Sequence, residues 1–179
     1  ERFAEEVGGP SGFVRTGMLV IGDPASRASV ERTVRMNREL GIETGFVTAD
    51  EVRKIHPLLI PPADDPMVYE PRSGYGSPHD VASSYARAFA DLGGEIRQGT
   101  RVIGIEASGG RVRAVRTPAG TSAAGHVVIA AGPWAREVGR LAGLDLPVMA
   151  SRQSVISLRP GVPYGHDYPV CVDLTHGVY

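Results

Sequence analysis

The run His126 to Ala131, His-Val-Val-Ile-Ala-Ala, constrains the fold more than any other stretch of the chain. It is short, continuously apolar after its first residue, and bounded by turn residues, as expected of a strand buried on both faces. Gly132-Pro133 follows at once. Trp134, Val138 and Leu141 then share one helical face, with Gly143 as the stop. A buried strand that passes through a tight turn straight into a helix is a β-to-α unit, so the expected class is α/β to α+β.

The remaining pattern agrees with a mixed fold. Phe13 to Ile21 reads as two strand-like runs flanking Gly17. Asp23-Pro24 offers a cap and a first-turn proline for a helix carrying Val30, Val34 and Leu40, stopped at Gly41. Thr44 to Val47 is a short strand, and Thr48 with Glu51 forms a capping-box pattern for a brief helix closed by Pro57. Residues 57–66 hold four prolines and two aspartates and read as a loop before a strand at Met67 to Glu70. Asp80 is the expected cap of a helix whose Val81, Tyr85, Ala88, Phe89 and Leu92 line one face, ended by Gly93-Gly94. Glu95 to Arg97 is strand-like. Arg101 to Ala107 and Arg111 to Thr117 flank Ser108-Gly109-Gly110 as a hairpin, and Thr121 to Ala124 follows another turn. Ser154 to Leu158, Val170 to Val172 and Val178-Tyr179 are the last expected strand segments.

Composition narrows the class of function. Hydrophobic residues make up 42% and charged residues 22% of 179, which disfavours disorder and a coiled coil. The formal net charge of -1 lacks the basic excess of a nucleic-acid footprint. Arg111, Arg113 and Arg116 are the nearest approach to one, and Arg111 with Arg113 reads as a solvated strand face. Lys54 is the only lysine, a bias that suggests GC-rich coding and a bacterial source. No apolar run reaches the roughly 18 residues of a membrane span. A single cysteine, Cys171, permits no intrachain disulfide. With no leader-like N-terminal segment, the expected location is cytoplasmic. The chain begins at Glu1 and ends at Tyr179 inside an apolar stretch, so it is expected to be a piece of a longer protein.

Several local motifs fail on chemistry. Gly74-Tyr75-Gly76 starts like a phosphate-cradling turn, but His79 stands where the third glycine belongs. Ser77, His79 and Asp80 are sequence neighbours, whereas triad members converge from distant positions. The five histidines, at 56, 79, 126, 166 and 176, have no ligand spacing with each other or with Cys171, so no metal site is expected. The strand-turn-helix unit is the stronger signal. Ligands of α/β folds sit at strand carboxyl ends, and Ala130, Ala131 and Gly132 let a flat group approach the backbone there. An ordinary β-to-α connection explains the same residues as well.

Taken in order, the motifs resemble the D-amino-acid-oxidase-like superfamily of FAD-dependent amine oxidoreductases, nearest to sarcosine oxidase, its β subunit and dimethylglycine dehydrogenase-like enzymes. The carrying residues are Gly12-Phe13 to Gly17-Met18-Leu19, Leu40-Gly41-Ile42 through Glu51-Val52, and His56-Pro57-Leu58. Gly74-Tyr75-Gly76-Ser77-Pro78 and Gly99-Thr100-Arg101-Val102-Ile103-Gly104-Ile105 continue the series. Ala130-Ala131-Gly132-Pro133-Trp134-Ala135 is the most specific match, and Pro147, Arg152-Gln153 and Asp173 to Tyr179 complete it.

The resemblance implies FAD as cofactor and a small amine or amino-acid substrate, with room for a partner subunit or an electron acceptor. It places Val102 beside the adenine through its backbone, packs Ala130, Ala131, Gly132, Pro133 and Trp134 along the cofactor, and sets Tyr179 in a segment that meets the substrate. No catalytic residue is assigned. It implies an antiparallel or mixed substrate-domain sheet, from residues 1–73 and 146–179, and part of a Rossmann-like FAD domain at 74–145. The expected reaction is oxidation of the C–N bond of an N-methyl or secondary amino acid. Glycerol 3-phosphate or a D-amino acid as substrate, or a non-catalytic binding module, are the alternatives. The family's Gly-x-Gly-x-x-Gly turn and its ribose-binding acid have no counterpart in this sequence, so the chain alone is expected to hold flavin weakly and to be inactive.

Overall fold

The computed structural model describes residues 2–62, 64–157, 159, 161, 163 and 168–178. The chain forms two compact units, Glu1–Gly94 with Pro160–Tyr179, and Glu95–Arg159.

The first unit is built on a four-stranded mixed sheet. After helix α1 (Phe3–Val7) come strands β1 (Val14–Arg15) and β2 (Met18–Ile21), helix α2 (Arg27–Glu39), β3 (Gly45–Phe46), helix α3 (Ala49–Ile55), β4 (Met67–Glu70), β5 (Gly74–Tyr75) and helix α4 (Pro78–Asp91). A late strand, β9 (Val170–Asp173), returns to this unit, giving the order β3-β4-β2-β9. β2 pairs antiparallel with β4 and parallel with β9, while β1 pairs with β5 in a separate ribbon.

Alternation along β2 decides the layers. Leu19 and Ile21 point to one face, where they pack with Val52 of α3 and Met67 of β4. Val20 points to the other, together with Val68 and with Val30 and Val34 of α2. One sheet thus separates two helices. Burial of these aliphatic side chains supplies most of the drive for the unit to form.

The helix ends follow their local chemistry. Asp23 accepts from the Ser26 amide at 2.7 Å, and Pro24 opens a short 3-10 turn before α2. The capping box of α3 is complete, with Thr48 Oγ1 accepting from the Glu51 amide and Glu51 accepting from the Thr48 amide at 2.7 Å. Gly17, between β1 and β2, lies at φ +82, and a Cβ there would run into the Tyr69 ring. Only glycine fits that turn without strain.

The second unit is a three-stranded antiparallel meander, β6 (Gly104–Ser108), β7 (Arg111–Thr117) and β8 (Gly120–Ala123), with helix α5 (Ala135–Arg140) beyond it. Gly109 and Gly110, at φ +61 and +72, make the two-residue turn whose twist suits a hairpin. Ile105 and Ala114 carry its buried apolar side chains. Arg111 and Arg113 are exposed, as the strand reading expects.

Several expectations require correction. His126 to Ala131 is not a strand buried on both faces: it is in no sheet of the described residues, and Val128 is 88% exposed. Such a strand needs neighbours on both edges and cover on both faces, and the described residues provide neither. Asp80 does not cap α4. Ser77 does, its hydroxyl accepting from the Asp80 amide at 3.2 Å, with Pro78 in the first turn. The stripe of Tyr85, Phe89 and Leu92 is exposed, and Ser84 is the residue of α4 that is buried. Its hydroxyl donates to Pro10 O at 2.8 Å, while Tyr85 stacks edge-on against Phe3. Leu40, expected on the inner face of α2, is exposed beyond the helix end. Glu95 to Arg97 forms no strand: Arg97 instead forks onto Glu95 at 2.7 and 3.0 Å and reaches Ser122. Residues 154–157 form no strand either, and Leu158 lies outside the described residues.

Candidate functional site

The second unit holds a cleft of about 1060 Å³. One wall is the stretch from Arg101 to Ile105, with Val115 of β7 beside it. Ile103 is held in line by its amide, which donates to Arg116 O at 2.9 Å, extending the β6–β7 ladder by one rung. The opposite wall is the run from Val127 to Ala131, followed by Trp134, Glu137, Val138 and Leu141. Within this second wall, between Ala131 and Glu137, the chain turns at Gly132–Trp134, a single 3-10 turn, with Gly132 at φ +50.

The lining is mostly aliphatic, with Arg101 and Glu137 as its charged members. That chemistry suits a flat, largely apolar group with a polar edge. Ala130 and Ala131 keep the wall thin, and a Cβ added at Gly132 would meet nothing within 4 Å. α5 has only six residues and brings no anion site of its own. Behind it, Arg136 grips Asp145 with two bonds of 2.9 and 3.2 Å, and this fork holds the Asp145 carboxyl below its ordinary range. The fork fixes the loop that follows the helix.

Four of the residues singled out in the sequence, Val102, Ala130, Ala131 and Trp134, line this one cleft. Gly132 and Pro133 stand beside it as the start of the 3-10 turn and are exposed. Tyr179 lies outside the described residues. Sequence reasoning missed Arg101, Ile103, Ile105, Val115, Val127, Val128, Ile129, Glu137, Val138 and Leu141 as lining residues. A signal for two of them was present, since Trp134, Val138 and Leu141 share one helical face. For Val115, across the hairpin, only the β6–β7 register brings it near, and no local pattern carries that.

Gly74-Tyr75-Gly76 is no phosphate cradle. Gly74 and Tyr75 form β5, paired with Arg15 and Val14, and a Cβ on Gly74 would strike the Val14 carbonyl. Glycine is there so that two strands can approach. Among the described residues no three His, Cys, Asp or Glu side chains gather to hold a metal ion, and no helix is long and apolar enough to cross a membrane.

A mixed sheet flanked by helices in one unit, and in the other a meander whose apolar cleft suits a flat ring, are features of ligand-binding α/β proteins. The match to known proteins is specific. The chain belongs to the DAO family of FAD dependent oxidoreductases, whose model matches residues 1–179. It is 29% identical over 160 residues to the mitochondrial sarcosine dehydrogenase of Mus musculus, covering 85% of this chain and 17% of that protein. It is 31% identical over 160 residues to the sarcosine oxidase subunit beta of Arthrobacter sp, covering 84% of this chain and 38% of that protein. Among solved structures, the L-proline dehydrogenase from P. horikoshii superposes with a TM-score of 0.78 over 98% of this chain and 47% of that one, at 22% identity. The chain therefore spans well under half the length of the curated relatives it matches.

FAD is the family's cofactor. The cleft fits its ring portions: the volume is ample, the walls are aliphatic, and the small residues admit a planar edge to the backbone. The diphosphate is another matter. It needs converging amide donors at a glycine turn, and the sequence has no Gly-x-Gly-x-x-Gly to form one.

Proposed function

We propose that this chain is part of an FAD-dependent oxidoreductase that oxidises the C–N bond of an N-methyl or secondary amino acid of the sarcosine or dimethylglycine type. The observation that carries the reading is the convergence of Val102, Ala130, Ala131 and Trp134 on one aliphatic cleft, in a chain whose curated relatives include sarcosine enzymes. When bound, the flavin supplies a two-electron oxidant that takes a hydride from the carbon attached to the amine, and the imine left behind hydrolyses in water.

The chain's own part is binding and orientation. The backbone at Val102 borders the adenine. Ala130 to Trp134 packs along the cofactor, with Val138 lining the same wall. Tyr179 belongs to the segment that meets the substrate. In this scheme residues 74–145 serve the FAD domain, and residues 1–73 with 146–179 serve the substrate domain. A partner subunit or a separate electron acceptor is compatible with relatives that include a sarcosine oxidase subunit.

The test is to express the reading frame at full length and record its visible absorption. Anaerobic bleaching is then followed with sarcosine, dimethylglycine, proline and glycerol 3-phosphate. Bleaching by the N-methyl or secondary amino acids, and faster bleaching as pH rises through the bound amine's pKa, is the expected result. Bleaching by glycerol 3-phosphate alone would refute the substrate class, and absence of flavin would refute the reading as a whole.

A further inference from the structure

The first unit holds a cavity of about 180 Å³ between α2 and the sheet. Val20 of β2 and Val68 of β4 form its floor, and Val30 and Val34 of α2 face them across it. Glu70, two residues beyond Val68 on β4, shares its face of the sheet. The β3–β4 register sets Gly45 opposite Tyr69 and so brings Thr44 opposite Glu70. Asn37 of α2 closes on the same carboxylate, Nδ2 donating to Oε1 at 3.0 Å. Thr44, Glu70 and Asn37 thus make one polar end in an otherwise mostly aliphatic cavity.

That end has acceptors to offer. Thr44 is 7% exposed, and its Oγ1 is buried with no hydrogen-bond partner among the described residues. The residue is pinned there, because Arg38 Nε donates to Thr44 O at 2.8 Å. A buried hydroxyl with no partner is costly, so a group in the cavity that meets it gains by doing so. Both bonds to Glu70 come from neutral donors, the Asn37 amide and the Ser73 hydroxyl at 2.8 Å, and a carboxylate has about four acceptor sites. With Nδ2 given to Glu70, Asn37 keeps Oδ1 as an acceptor. Water suits this end but lacks the two to four polar partners it needs along the valines. The volume is near that of the roughly 150 Å³ apolar cavity that admits benzene, which sets the occupant at about five or six heavy atoms.

We infer that the cavity binds a small primary alkylammonium, its NH3+ donating to Glu70, Thr44 Oγ1 and Asn37 Oδ1 and its alkyl chain lying along Val20, Val30 and Val68. An ammonium has three donors and no acceptor, which matches three acceptors, and its charge matches the carboxylate. An alcohol of the same length brings one donor and no charge. Every residue of the site belongs to the first unit, so the inference is independent of the flavin reading.

The experiment titrates this chain at neutral pH with n-butylammonium, n-butanol and butyrate, three probes of nearly equal size, and follows the valine methyls by NMR. With n-butylammonium, the Val20, Val34 and Val68 methyls shift saturably, while Val52, on the other face of the sheet, does not. n-Butanol binds about tenfold or more weakly, and butyrate gives no saturable shift. Glu70→Gln, which keeps the size of the side chain, abolishes the preference for the amine over the alcohol. Thr44→Val, which keeps the shape and removes the hydroxyl, weakens the amine about threefold or more without lowering the denaturation midpoint. Equal binding of amine and alcohol to the wild type overturns the inference, as does a Glu70→Gln variant that keeps the preference. No saturable shift with any probe leaves the cavity to water and overturns it outright.

Discussion

Leu19→Ala tests the first unit most directly. Leu19 is 0% exposed, on a strand flanked by β4 and β9, and packs with Ile21, Val52 and Met67. Truncation removes about three buried carbon groups at about 0.8 kcal/mol each, or roughly 2.4 kcal/mol of transfer free energy. The site is closed by strands on both edges and α3 above, so it relaxes only in part, and the residual cavity brings the loss to about 3–4 kcal/mol. Hydrogen exchange read peptide by peptide converts that loss into rate. At about 1.4 kcal/mol per decade, amides of β2 and β4 that exchange through unfolding of the unit speed up roughly 100-fold or more. Amides of β6 and β7 belong to the other unit and keep their protection. Leu40→Ala is the matched control, because Leu40 is 71% exposed and its truncation costs under about 0.5 kcal/mol. Equal exchange in β2 for the two variants would refute the assignment of Leu19 to the core.

Four further outcomes are expected. Thr48→Ala opens the capping box and costs about 1 kcal/mol, seen as faster exchange confined to α3. The backbone amide and then the hydroxyl of Thr48 depress the Glu51 carboxyl below its ordinary value. The unfolded chain therefore takes up a proton more readily, so this contribution is full above the ordinary carboxylate range and fades as pH falls through the folded value. An acid titration of α3 protection that persists unchanged in Glu51→Gln would contradict it. Gly17→Ala forces a side chain into left-handed backbone and against the Tyr69 ring, costing about 1–2 kcal/mol from the backbone alone, measurable as a lowered denaturation midpoint. Ala131→Phe fills the cleft of the second unit and lowers flavin retention of the full-length protein about tenfold or more, whereas Arg111→Ala leaves it unchanged.

What the sequence made legible is what is decided within a few residues. The capping box at Thr48, the Asp23-Pro24 start, the hairpin at Gly109-Gly110 and the alternation of β2 are all set by neighbours, and all are found. The helix cap at Ser77 was misread for a local reason. Asp80 is as good a capping residue by type, but Pro78 belongs in the first turn, which moves the cap one residue ahead of it.

The larger errors have a different origin. An apolar pattern records what a segment needs, not whether the same chain supplies it. Val128 and the α4 stripe of Tyr85, Phe89 and Leu92 are apolar at the spacing of buried elements, yet they stand exposed. The same holds for the cleft. Trp134, Val138 and Leu141 share one helical face that could serve equally as core or as binding wall. The register of β6 on β7 brings Ile105 opposite Val115 and completes the wall. Helical periodicity alone cannot encode that pairing, because it depends on a turn some twenty residues upstream. Family resemblance named Val102 and Ala130 to Trp134 without this geometry. The geometry adds the aliphatic partners that a flat ring needs on its other side, and those partners make Ala131→Phe a decisive substitution.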